Sequence, residues 1–98
     1  MSQRLRIEPL AEDDVTRAYR WYEGQQAGLG EDLLTALDEC FTRVTENPSG
    51  YQVIYKGVRR ALVRRFPYCV YFITTKTEVI ILAVLHGHRT PQRWRKRT

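Results

Sequence analysis

Two groups of residues have types that could do chemistry. Arg59, Arg60, Arg64 and Arg65 fall within one strand-like run, and His86, His88, Arg89 and Arg93 follow another. A guanidinium grips phosphate or carboxylate through two parallel N–H bonds, and an imidazole carries protons near neutral pH. Together they suit general acid–base cleavage of a phosphodiester, with cations stabilising the transition state. The same residues suit a surface for an anionic partner or a solvated face, and residue types alone leave all three open. His86 and His88, two apart at a strand end, can point the same way, but two imidazoles without a third ligand do not make a metal site. Cys40 and Cys69 have neither metal nor disulfide spacing. There is no Gly-rich phosphate loop, no HExxH and no Cys-x-x-Cys. Neither a metal nor a cofactor is expected.

The net charge of +5 conceals an uneven distribution. Residues 1–55 carry five Arg and ten Asp or Glu, whereas residues 56–98 carry eleven Lys or Arg against Glu78 alone. A basic half of this kind suits an anionic partner, either nucleic acid or an acidic protein segment. The carboxylates cluster on predicted helices, so they are expected to lie away from the basic strands. The opening "MSQRLRIEPLAEDD" is too polar for a signal peptide, and the apolar run "VIILAVL" is too short to cross a bilayer. The expectation is a soluble cytoplasmic protein with no membrane partner.

These side chains need elements to hold them. At 98 residues and 43% hydrophobic, the chain has material for a single domain spanning 1–98. "RLRIEPL" alternates Leu5 and Ile7 with charged residues and is closed by Pro9, which predicts a short strand. "AEDDVTRAYRWYEGQQ" follows, with Val15, Ala18, Tyr19 and Tyr22 on one helical face and Glu12, Asp13 and Asp14 suited to its positive end. After Gly28 and Gly30, Leu29, Leu33, Leu34, Leu37, Phe41 and Val44 predict a second helix. Pro48 should end it, giving an antiparallel αα-hairpin.

From Tyr51 the period becomes two. Strands are predicted at 51–56, 58–66, 68–75 and 78–88, with Gly57 in a tight turn and Pro67 between the second and third. Alternation places Arg60, Leu62 and Arg64 on one face and Arg59, Ala61, Val63 and Arg65 on the other. "VIILAVL" is apolar on both faces, as in a central strand covered on both sides. "RTPQRWRKRT" predicts a short terminal helix after Pro91 or a mobile basic tail, with Trp94 available to pack on the sheet. The fold class is α+β: an N-terminal strand, an αα-hairpin, then a four-stranded mostly antiparallel sheet.

Read together, "AYRWYEGQQAGLGEDLLTALDECFTRVTENPSGYQVI", "VRRALVRRFPYCVYF" and "VIILAVLHGHRTPQRW" resemble the ParE/RelE superfamily of toxins from bacterial toxin–antitoxin modules. Their order and spacing are most similar to the ParE-type, plasmid-stabilisation members. The resemblance implies a sheet that displays a basic surface and an acidic, amphipathic antitoxin segment folded across it as a hetero-oligomer. It also divides by activity. RelE-type members cut mRNA on the ribosome with basic residues on the central strands, a late Arg and often a C-terminal Tyr or His. Arg60 falls near one such basic position, and Arg89 matches the late Arg. However, Cys69 stands where that pattern has an Arg, and no Tyr occurs after Tyr71.

ParE-type members lack that catalytic set and are known for poisoning DNA gyrase. The resemblance therefore implies a gyrase-inhibiting, non-enzymatic toxin whose target- or antitoxin-binding surface is Arg60, Arg64, Arg89, Arg93, Arg95, Lys96 and Arg97. The alternative it leaves is a ribosome-dependent mRNA endonuclease using Arg60, His86, His88 and Arg89. A third is a degenerate toxin that only binds its antitoxin.

Overall fold

The computed structural model describes residues 3–87 and 92–98, with nothing stated of the Gln92 side chain. The element order is β1 (Arg4–Ile7), α1 (Pro9–Gln25), α2 (Leu29–Glu46), a 3-10 turn at Pro48–Gly50, β2 (Val53–Tyr55), β3 (Val58–Leu62), β4 (Tyr68–Thr74), β5 (Glu78–His86) and α3 (Gln92–Arg95). The strands form one sheet in the order β1-β5-β4-β3-β2. β1 runs parallel to β5, from Arg4 opposite Glu78 to Ile7 opposite Ile81, and every other pairing is antiparallel. The α+β class is as expected. The N-terminal strand joins the same sheet, making five strands rather than four.

Pro9 opens α1 rather than merely closing β1. Its missing N–H would be unsatisfied at a first helical position anyway, and its fixed φ suits the helix. The turn to α2 rests on Glu23. Its carboxylate accepts the backbone N–H of Gly28 at 3.0 Å and of Gly30 at 2.9 Å, two groups at the start of α2 with no partner within the helix. Gly28 is in the left-handed region at φ 91°, and at Gly30 the two helices come so close that a Cβ would lie 2.8 Å from the Tyr19 ring.

The sheet is buried on both faces. The αα-hairpin covers one with Ala11, Ala18, Leu33, Leu37, Val44 and their neighbours, against Val70, Phe72, Val79, Ile81 and Val84. The other holds Val58, Cys69, Tyr71, Ile80, Leu82 and Leu85, covered by Trp94 of α3. Trp94 stacks on Tyr71 at a ring separation of 5.0 Å and meets Tyr55 edge-on at 5.7 Å. The run "VIILAVL" is thus wet on neither side.

Two chain reversals set the register. Lys56 and Gly57 both have positive φ, 42° and 82°, which matches the twist of a two-residue hairpin between β2 and β3. β3 ends at Leu62, short of the expected Phe66. There the Val63 N–H turns to the Tyr68 carbonyl, Arg65 adopts φ 73°, and Pro67 follows. Alternation consequently holds for Arg59 to Leu62 but stops before Arg64.

The helix contact at Gly30 gives a stability prediction. Gly30→Ala should lower unfolding free energy by about 1–3 kcal/mol, because the ring and the capping carboxylate must shift. Gly24→Ala, within α1 and with open space around its added methyl, should be neutral or stabilise by about 0.5–1 kcal/mol. Urea unfolding of both variants checks this, and equal effects would refute the close approach.

Candidate interaction surface

β1 reaches only as far as Ile81 of β5, where the Glu8 N–H donates to the Ile81 carbonyl at 3.0 Å. Beyond it β5 has no neighbouring strand on that side. Just there, β5 carries a bulge: Tyr71 faces Ala83 while Phe72 faces Ile81, so Leu82 is an extra residue. The bulge leaves Leu82 on the face of Ile80, moves Ala83 and Leu85 onto that face, and moves Val84 and His86 onto the helix-covered one.

A buried acid completes the open edge. Asp14 of α1, its side chain 1% exposed, accepts the Val84 N–H at 3.0 Å. Arg97 reaches in from the C-terminal tail and donates Nη1 to Asp14 Oδ2 at 2.6 Å and to the Leu82 carbonyl at 3.1 Å. Its Nη2 contacts Asp14 Oδ1 at 3.3 Å, and Arg17 donates to the same oxygen at 2.8 Å. The carboxylate thus has hydrogen bonds on both oxygens, which is what makes its burial tolerable. Asp14 meets a basic residue of the tail rather than of a basic strand, because β5, across which α1 lies, carries no Lys or Arg. The expected separation of acids from the basic strands is crossed weakly by Arg65 to Asp32, at 3.8 Å.

Beside Asp14 lies a groove of about 620 Å³ between α1 and the end of β5, lined by Ala18, Trp21, Tyr22, Tyr68, His86 and Arg93 among others. Trp21, 58% exposed, meets Tyr22 edge-on at 4.9 Å. Tyr22 in turn meets Phe66 and Tyr68, and Tyr68 meets His86 at 5.7 Å. Burial raises the Tyr22 hydroxyl above its ordinary value, so it stays neutral. The groove is an aromatic floor with Arg17 and Arg93 at its margin.

The sequence-expected site residues separate accordingly. Arg93 and His86 line the groove. Arg60 points from the opposite face of the sheet, beside the Tyr71 hydroxyl and the Cys69 thiol. Arg64 lies beyond β3, near Arg60 and Arg43. Arg95 lies over the Tyr55 ring at 4.4 Å, and Lys96 is exposed. Arg97 is only 14% exposed and is bound to Asp14, so its charge closes the sheet edge rather than facing a partner. His88 and Arg89 lie outside the described residues. Arg60 and His86, two of the four groups a nuclease would use, are therefore on opposite faces.

Sequence reasoning missed Asp14, Arg17 and Arg43. Asp14 reads as an acid suited to the start of a helix, yet it falls three after Ala11 and four before Ala18. An acid on that buried stripe was the available signal. Among the described residues, no group of three or more His, Cys, Asp or Glu could hold a metal, and no helix is long and apolar enough to cross a membrane.

Fold and surface together describe a small basic protein: an αα-hairpin on a mixed sheet, with an aromatic groove between α1 and the end of β5 and a group of arginines around β3. A model of the ParE toxin of type II toxin–antitoxin system, parDE, matches residues 5–91, and the chain belongs to that family. Toxin ParE2 from two strains of Mycobacterium tuberculosis, CDC 1551 / Oshkosh and ATCC 25618 / H37Rv, is 30% identical over 92 residues, 93% of this chain and 88% of theirs. A solved structure of the chromosomal ParDE TA system from P. aeruginosa matches with a TM-score of 0.77 at 17% identity, covering 87% of this chain and 96% of that one. At that identity the likeness is one of fold.

Two predictions follow from the buried groups. Asp14→Ala should cost about 3 kcal/mol or more, since it strands the Arg97 guanidinium and the Val84 N–H. Arg97→Ala should cost less, because Asp14 keeps Arg17 and Val84. Denaturant titrations reporting the reverse order would refute this account of the edge. Burial also raises both the Cys40 and Cys69 thiols above the ordinary 9.0. Both should resist a disulfide reagent at neutral pH until the protein unfolds. The fold holds these protons more tightly than the unfolded chain does, so stability should fall as pH rises through about 9. Rapid labelling of folded protein at neutral pH would contradict the assignment.

Proposed function

We propose that this ParE-family protein is a cytoplasmic toxin that binds and inhibits DNA gyrase and is held inactive by a cognate antitoxin. The observation that carries the binding reading over a catalytic one is the separation of Arg60 from His86 across the sheet. A phosphodiester-cleaving site needs a cation and a proton carrier at the same few ångströms. These two have a buried sheet between them. Cys69, buried and with its thiol raised, supplies no cation in the position where an Arg would be needed.

The antitoxin reading rests on the groove between α1 and β5. Its floor of Ala18, Trp21, Tyr22 and Tyr68 suits the apolar side of an amphipathic segment, and Arg17 and Arg93 suit acids on the flanks of that segment. The ordering cost of such a segment is offset by aromatic burial and charge pairing. Trp21 is the natural anchor, since it is large and exposed in the free protein.

Two measurements test these parts. Purified protein added to gyrase and supercoiled plasmid should produce linear plasmid that accumulates with dose. A folded preparation that arrests growth yet leaves plasmid topology untouched would reject gyrase as the target. Trp21→Ala should weaken binding of the cognate antitoxin by about thirtyfold or more, with thermal stability nearly unchanged. Undiminished binding would remove the groove from the interface.

A further inference from the structure

A second surface lies away from the groove, around β2, β3 and the end of α2. Arg43, Arg60 and Arg64 converge there on a shallow cavity of about 460 Å³, lined also by Tyr51, Gln52 and Leu62. No carboxylate lines it. Arg6, Arg17, Arg65 and Arg97 each pair with an acid. Arg43, Arg60 and Arg64 have no such ion pair among the described residues. Arg43 donates to the Leu62 carbonyl at a long 3.4 Å and also lies against the neutral Cys40 thiol, and the Arg60 guanidinium lies against the neutral Tyr71 hydroxyl. Arg43 and Arg64 also border a neighbouring hollow lined by Asp38 and Glu39, but no carboxylate lines the cavity that the three guanidiniums share; there they repel one another, and an anion bound among them would relieve that repulsion.

We propose that this cluster is a DNA-binding surface, in which Arg43, Arg60 and Arg64 grip the phosphodiester backbone of a duplex. Three features favour a duplex backbone over other anions. The three guanidiniums come from three separate segments (α2, β3 and the corner after it) and so spread over a concave surface rather than making one point site. The nearby sheet edge is a poor template for an added peptide strand. β2 has three residues and a register shift between Val53 and Tyr55, which blunts it. The lining also lacks a free aromatic platform for unpaired bases, because Tyr51 is committed edge-on to Phe72 at 5.8 Å. Leu62, 68% exposed between Arg60 and Arg64, can lie against the sugar edge. Contacts of this kind position a protein on DNA without reading its sequence.

The inference goes beyond the gyrase reading and is tested without gyrase. Fluorescence anisotropy of a labelled duplex, followed between about 50 and 200 mM salt, should show binding that weakens steeply with salt. Arg60→Gln/Arg64→Gln should lower the logarithmic salt slope by about two, and adding Arg43→Gln should lower it by about three. Lys76→Gln, in the exposed turn between β4 and β5, should leave the slope nearly unchanged. Circular dichroism and thermal melting verify that each variant folds, and the double variant spares the Arg43 contact to Leu62. Four outcomes would overturn the proposal. They are no duplex binding at the lowest salt, a slope loss no greater than for Lys76→Gln, tighter binding of single-stranded RNA than of duplex DNA, or displacement by polyglutamate as effective as by unlabelled DNA. Plasmid linearisation by gyrase is read separately, so either idea can fail while the other stands.

Discussion

The architecture depends on how one open strand edge is closed. β5 is the longest strand and the apolar centre of the sheet, but β1 flanks only its first half. The remaining N–H and C=O groups sit at the boundary between core and solvent, where unpaired backbone is costly and invites association with other strands. Asp14 and Arg97 supply the missing partners from an α1 side chain and a C-terminal side chain. A residue 14 from the start and one at the penultimate position are thus joined through the backbone of a central strand. Breaking that junction would open an edge and strand a buried charge together.

The same junction shapes the surface. Because Asp14 holds α1 across β5, Ala18, Trp21 and Tyr22 one or two turns later stand over the end of that strand and form the groove wall. Because Arg97 is anchored at Leu82, the short α3 is held against the opposite face, where Trp94 covers Tyr71 and Arg95 covers Tyr55. The tail therefore acts largely as a lid on the second half of the core. Its charge is divided: Arg97 is consumed internally, while Arg93 and Lys96 remain available to solvent. A count of basic residues overstates what this protein offers a partner.

The β5 bulge has a comparable effect. One extra residue at Leu82 exchanges the faces of everything that follows, sending Val84 and His86 toward the helices. With unbroken alternation, His86 would share a face with Ile80 and Leu82, and hence with Arg60. A one-residue change of phase is thus what separates the imidazole from the arginine. The two proposed surfaces are chemically different. One is aromatic with a charged margin, and the other is a cavity of arginines that no carboxylate lines.

Much of the fold was legible in the chain. Periodicity located both helices, the glycine turn between them, the hairpin at Gly57 and the doubly covered strand, because burial on a helix stripe or a strand face leaves a local record. Packing of Trp94 on the sheet followed from its type. Family membership, too, was written in the order of three segments. Tertiary structure alone decided what depends on contacts between distant residues. Asp14 looks like any acid near a helix start until α1 is laid on β5. Arg97 looks like one charge among several until its partner lies 83 positions away. The bulge depends on how β4 and β5 pair, and no local pattern marks it. Side-chain type and spacing are properties of a segment, whereas charge pairing and strand phase are properties of the assembled sheet.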